Sequence, residues 1–88
     1  MIHDLKILPV HYNQIMLGYK NFELRKDDRL YSKYDILRLM EWLPDKKEYS
    51  GNIISVNIIY ILRYADSFGL KPGYVIMGFR NVNNCTAV

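Results

Sequence analysis

Apolar and polar side chains alternate along several stretches of the chain, and in one stretch the period changes to that of a helix. Over residues 3–8, Leu5 and Ile7 fall on one side and Asp4 and Lys6 on the other, the two-residue period of a strand. Pro9 then opens a helix, since proline is at ease in a first turn. Leu8, Tyr12, Ile15, Met16 and Tyr19 recur at helical spacing and predict one apolar stripe, with His11, Gln14 and Gly18 opposite. Gly18 is a stop signal, because glycine accepts the left-handed conformation of a C-terminal cap. A helix of about two to three turns owes its stability to docking that stripe.

A second strand starts at Asn21. Its alternation sends Phe22 and Leu24 toward a core and leaves Asn21, Glu23 and Arg25 on a solvated face. Residues 26–29, Lys-Asp-Asp-Arg, have the composition of a turn. Residues 35–42 form a third strand carrying Ile36, Leu37, Leu39, Met40 and Trp42. The polar run 44–51 is an exposed connection between antiparallel strands. Residues 52–62 are the longest strand, with Ile54, Val56, Ile58, Tyr60 and Leu62 on one face, and their β-branched density disfavours a helix. Lys71-Pro72-Gly73-Tyr74 has proline and glycine at the centre of a type II turn. The final strand, 74–80, points Val75, Met77 and Phe79 inward, and residues 81–88 have no period and form a loose tail.

These elements predict one mainly β, α+β domain over residues 1–80, with five strands and one main helix after the first. In so short a chain they suggest a small closed or nearly closed barrel, because closure removes exposed sheet edges. The pattern leaves an OB-like barrel open as well. Eighty-eight residues hold one core, and a hydrophobic half of the composition supports a packed domain. Charges interrupt every apolar run, which excludes a membrane-spanning helix, and an early acid and short apolar run exclude a secretory signal. The single cysteine, Cys85, has no internal partner, so the expected compartment is the cytoplasm.

Twelve basic against nine acidic residues give a net charge of +3, which permits a polyanionic partner without requiring one. The charge concentrates in residues 18–29, where Lys20, Glu23, Arg25, Lys26 and Arg29 are interleaved with Tyr19, Phe22 and Leu24. A helix end, a turn carrying Lys20 and a strand carrying Glu23 and Arg25 bring opposite charges into a small volume. Read blandly, Glu23 and Arg25 are a surface pair worth under about 1 kcal/mol. Read functionally, they line a cleft between helix and barrel. Eight tyrosines and one tryptophan offer stacking surfaces for bases. Tyr12, Tyr19 and Tyr60 fall on predicted core faces, whereas Trp42 and Tyr74, at strand ends, suit the rim of a site. His11 sits on the polar helix face as a solvated group. His3, His11 and Cys85 lack zinc-site spacing, so no metal is expected, and no phosphate loop or nucleophile triad is present. No cofactor is implied.

Gly18-x-Lys20-x-x-Glu23-x-Arg25 resembles the G-x-K-x-x-E-x-R signature of ASCH domains, in the PUA-like superfamily. The strings His3-Asp4-Leu5-Lys6-Ile7-Leu8-Pro9, Phe22-Glu23-Leu24-Arg25-Lys26-Asp27-Asp28-Arg29 and Gly69-Leu70-Lys71-x-Gly73-Tyr74-Val75-Ile76-Met77 are similar to those of small ASCH-like proteins of unknown function from bacteria and phages. The likeness covers His3 to about Phe79 and implies a PUA-like barrel whose signature residues line the cleft. Two departures stand out. Tyr34 precedes Asp35 where many relatives have glycine, which implies a differently built turn. Some small ASCH proteins deacylate N4-acetylcytidine with a lysine and a threonine of this motif, and here Lys20 matches the lysine but Glu23 replaces the threonine.

The first expectation is therefore a non-catalytic module that binds RNA or a modified nucleotide through Lys20, Glu23 and Arg25. Lys6, Lys26 and Arg29 extend its basic rim, and Lys and Arg contact phosphate. The second is a small amidohydrolase on an acylated nucleoside, with Lys20 in the motif and Glu23 or Glu41 as general base. The third is a phage or bacterial protein-interaction domain.

Overall fold

Five segments form strands, of which the fourth and fifth are the richest in β-branched and aromatic side chains, which pack well on a pleated surface. In the computed structural model, which describes residues 1–82, these are β1 (Ile2–Ile7), β2 (Phe22–Lys26), β3 (Ile36–Leu43), β4 (Glu48–Leu62) and β5 (Tyr74–Asn81). One α-helix, α1 (Pro9–Met16), follows β1, and a short 3-10 helix covers Asp66–Phe68. The protein is mainly β, as the alternation predicts. The strands form one curled, half-barrel sheet in the order β1-β3-β4-β5-β2. β1 runs parallel to β3, and the other neighbours are antiparallel. Parallel neighbours need a crossover connection, and α1 with β2 lies within it. Among the described residues no helix is long and apolar enough to cross a membrane. Cys85 and most of the expected tail lie outside the described residues.

The concave face holds the core: Leu5 and Ile7 from β1, Leu37 and Leu39 from β3, Val56 and Ile58 from β4, Val75 and Met77 from β5. α1 adds Ile15, with Tyr12 packed partly against the cluster. Leu8, Met16 and Tyr19, expected on the buried stripe, are exposed. Eight residues make about two turns, too short for a full stripe to reach the core. The helix ends as its glycine predicts. Gly18 has φ +82°, its N–H donates to Ile15 O at 3.0 Å, and the Tyr19 N–H donates to Gln14 O at 3.0 Å, which is a Schellman cap. The turn before β5 is also as read: Gly73 has φ +83° and the Tyr74 N–H closes onto Lys71 O at 3.1 Å. Tyr34 takes φ +75°, the left-handed conformation glycine would supply, so this turn keeps a glycine-like backbone where a different build was expected.

Two face assignments are overturned. In β4, Ile54, Val56 and Ile58 are buried but Tyr60 and Leu62 are exposed. The register shifts between Ile58 and Tyr60, and one extra residue in a strand moves every later side chain to the other face. In β2 the expected sides are exchanged throughout. Phe22 and Leu24 are 46 % and 54 % exposed, and Glu23 is 4 % exposed. Register explains it: Glu23 stands opposite the fully buried Met77, whereas Phe22 stands opposite Gly78 and Leu24 opposite Ile76.

Two carboxylates, Asp35 buried and Asp27 partly buried, anchor the loop between β2 and β3. Asp27 accepts from Arg63 Nε at 2.7 Å and from the Tyr31 N–H at 3.3 Å, while Arg63 Nη2 also donates to Tyr31 O. Asp35 accepts from His3 Nε2 at 2.9 Å and the Ser32 N–H at 3.0 Å. Tyr31 is buried, with its ring edge-on to His3 at 4.8 Å. The Arg63 hydrogen bond lowers the Asp27 pKa. Burial alone would raise Asp35, but donation from His3, the Met1 ammonium and Ser32 outweighs it and lowers this carboxyl too.

The inverted β2 gives a direct check. Met77→Ala is expected to cost about 2–5 kcal/mol in urea unfolding, and Phe22→Ala only about 1 kcal/mol, since half the ring is already in water. Equal costs would refute the register. A second expectation concerns acid. Carboxyls whose pKa falls on folding contribute stability above the unfolded value near about 4 and lose it as pH drops toward their folded values. The urea midpoint should therefore fall below about pH 4, and Asp27→Asn should flatten that fall.

Candidate functional site

Glu23 is the centre of the site. It is inward-facing on an edge strand, and a buried carboxylate persists only when paired. Two cations pair it. Lys20 Nζ lies 2.9 Å from Oε1, and Arg25 Nε lies 2.8 Å from Oε2. Lys20 is placed by the Gly18 cap, which turns the chain out of α1 and back toward β2. Arg25 is placed by strand alternation, two residues on and on the same inner face. Arg25 has a second attachment: its Nη2–H donates to Lys6 O on β1 at 2.6 Å. Arg29 repeats the contact further along, donating to Asp4 O at 2.9 Å.

The two arginines, Arg25 on β2 and Arg29 in the loop after it, thus tie this segment to the free edge of β1 where no strand ladder joins them. Side-chain ties leave a gap that a ladder would close. The gap is a cleft of about 630 Å³, walled by Lys6, His11, Lys20 and Arg25 on its polar side and by Leu8 and Phe22 on its apolar side, with Glu23 at its base. A second hollow of about 500 Å³ shares Lys6 and Arg25 and adds Asp4, Arg29 and Tyr49. Together they make a groove along the seam in which cations outnumber carboxylates. Asp4 is in addition paired with Arg38, at 2.6 Å and 2.8 Å, and that pairing lowers its pKa.

Of the residues expected at the site, Lys20, Glu23, Arg25 and Lys6 come together at the cleft, and Arg29 lies in the adjoining hollow. Trp42 supports from below: Lys6 Nζ sits 3.9 Å from its ring centroid, and Tyr49 packs edge-on against it at 4.9 Å. Cation–π contact of this kind holds an ammonium in place. Lys26 is exposed, pairs with Tyr74 across the β2–β5 ladder and lies outside the cleft lining, but shares a smaller adjoining hollow with Arg25 and Arg29. Glu41 is buried, accepts from Asn52 Nδ2 at 3.1 Å, and lies outside the cleft lining. His11 is exposed on the helix, as expected, and also lines the cleft wall. Its place one turn beyond Leu8, at the start of the helix that leaves β1, is the signal that would have found it.

The arrangement favours binding. Both Glu23 oxygens are occupied by cations, so a ligand N–H must displace Lys20 or share Oε1 with it. An anion needs no displacement to meet Lys20, Lys6 or the outer edge of Arg25. Among the described residues no three His, Cys, Asp or Glu side chains converge, and the site works through ammonium, guanidinium and carboxylate groups.

Glu23 therefore carries structure as well as any ligand, contrary to the solvated face expected of it. Glu23→Ala should cost about 2–3 kcal/mol by chemical denaturation, because it strands two partly buried cations. The value is below the full buried-pair penalty since Lys20 and Arg25 keep some water, at 15 % and 28 % side-chain exposure. A change under about 0.5 kcal/mol, the usual surface effect, would show that the pair does not form.

The chain matches, over residues 2–79, the sequence profile of a family described as a domain of unknown function, DUF3850. That span contains every cleft residue. No curated protein matches the chain.

Proposed function

The chain belongs to the DUF3850 family of domains of unknown function, and from that premise we propose that it is a non-catalytic, ASCH-type PUA-like module that binds RNA or a modified nucleotide in the seam cleft. The observation that carries the reading is the convergence of Lys6, Lys20 and Arg25 on one open cleft around a single buried carboxylate. Its volume lies within the about 300–1,000 Å³ usual for small-ligand sites. Lys20 and Lys6 meet phosphate, the contact that supplies most sequence-independent affinity. Glu23 Oε1 accepts from an exocyclic amine or a ribose hydroxyl in exchange for Lys20. Leu8 and Phe22 offer an apolar wall to a base or sugar. Such a ligand is met in the cytoplasm.

The amidohydrolase reading has less support. Glu23 stands where the nucleophilic threonine would be, and both its oxygens are engaged. Lys20 spends its ammonium on that carboxylate, and Glu41 faces Asn52 outside the cleft. A module used only for protein contacts would give no response to nucleotides.

Thermal shift with cytidine and uridine monophosphates, followed by short single-stranded RNAs, tests the proposal. Ligand that binds the folded state raises the melting temperature. The rise is expected with wild type and is lost in Lys20→Met. RNA affinity should fall with salt at a log–log slope of about −2, as about three phosphate contacts on a single strand dictate. No shift and no salt-sensitive binding at low ionic strength would remove the reading. Release of cytidine from N4-acetylcytidine, detected by chromatography and abolished in Lys20→Ala, would move the protein to the hydrolases.

A further inference from the structure

The bulge in β4 has an effect on the opposite side of the sheet. By turning Tyr60 and Leu62 outward it completes two rows across three strands: Phe22, Gly78 and Tyr60 in one, Leu24, Ile76 and Leu62 in the other. Phe22 and Tyr60 are 46 % and 62 % exposed, and two ladder spacings put their strands about 10 Å apart. Gly78 lies between them. A Cβ there would meet Tyr60 Cβ at 3.7 Å and Tyr60 O at 4.0 Å, both ordinary contacts, so the fold does not need the glycine for space. What its lack of a side chain provides is an open floor between two aromatic rings.

The charge of this face is one-sided. The outward positions of β2, β5 and β4 in these rows and their continuation carry no carboxylate. Cations border it. Lys26 pairs with Tyr74 in register, Lys71 Nζ lies 5.4 Å from the Tyr74 ring, Arg80 extends the β5 row, and Lys20 Nζ lies 5.6 Å from the Phe22 ring. Aromatic rings in the middle and cations at the margins match a strand of bases joined by phosphates, where rings stack and ammonium groups meet the backbone. A second copy of the chain would bring like charges against these margins, which disfavours association. Phe22 belongs to both surfaces, because it also lines the cleft.

We propose that the outer face of β4, β5 and β2 is a base-stacking platform for single-stranded nucleic acid, continuous with the seam cleft around the free edge of β2. The proposal rests on the nucleotide-binding reading and extends it from one nucleotide to a run of them. Tyr60 and Phe22 stack bases, and Lys26 and Arg80 contact phosphates.

The probe is a fluorescein-labelled oligouridylate of about 12 nucleotides, a length within the usual range for one such site, followed by anisotropy. Uridine monophosphate in thermal shift reports the cleft separately. Tyr60→Ala is expected to weaken the oligonucleotide about 5- to 100-fold while leaving the monophosphate shift unchanged. Tyr60→Trp should retain or tighten binding, which a merely structural role would not produce. Gly78→Val, which fills the floor, should weaken the oligonucleotide while the far-ultraviolet circular dichroism stays that of wild type. Arg80→Ala should reduce the salt slope by about 0.7. Wild-type affinity in Tyr60→Ala, or no oligonucleotide binding by wild type at low salt, overturns the platform. If the monophosphate shift persists in that case, the cleft reading stands alone. A wild-type dimer that Tyr60→Ala converts to monomer by light scattering also overturns the proposal, and makes the face a contact between copies.

Discussion

The structure depends on how Arg25 closes a sheet that does not close itself. A five-stranded curled sheet has two edges, and unpaired edge carbonyls are a standing invitation to wrong pairing. Here the edges of β1 and β2 meet, and two guanidinium groups cap β1 carbonyls in place of a ladder. Arg25 performs this with its Nη2 while its Nε pairs Glu23. One side chain therefore joins barrel closure to the electrostatics of the cleft. Closing the seam with a backbone ladder would have left no cleft.

The inversion of β2 follows from the same constraint. A guanidinium bridging the seam must point inward from β2, and alternation then forces Glu23 inward and Phe22 and Leu24 outward. Burying a carboxylate is tolerable because two cations reach it at hydrogen-bond distance. The apolar side chains are left on the outer face, where the bulge in β4 adds Tyr60 and Leu62. A single inserted residue and a single edge requirement thus produce an apolar outer surface on a small domain.

Elsewhere the charges act as anchors. Asp27 with Arg63 and Asp35 with His3 fix the loop between β2 and β3 at both ends, and the left-handed residues Leu30 and Tyr34 complete its path. The motif charges and the loop charges are adjacent in sequence, yet they serve different ends. Asp27 is bound into the scaffold, whereas Lys20 and Arg25 face the cleft.

Much of the fold was legible in the sequence, because local signals and the core pattern agree. The five strands, Pro9 at the helix start, the Gly18 cap and the Pro72-Gly73 turn are each dictated by backbone chemistry within a few residues. Val75, Met77 and Phe79 are inward as alternation requires. The meeting of Lys20, Glu23 and Arg25 was legible too, since Glu23 and Arg25 are two apart on one face of a strand and Lys20 sits three residues before Glu23 in the turn after the helix cap. Which side they face was not. Phe22 and Leu24 satisfy a core pattern as well as Glu23 and Arg25 satisfy a surface one, and hydrophobicity alone favours the wrong side. The contact that goes with the inward side is to β1, nearly twenty residues away in sequence, where the Lys6 carbonyl accepts from Arg25. The phase of Tyr60 was equally invisible, because a bulge is set by pairing with β5 and leaves no mark in the alternation before it. Local chemistry determined the elements and the cast of charges. Tertiary pairing decided their faces, since a face exists only relative to the strand next door.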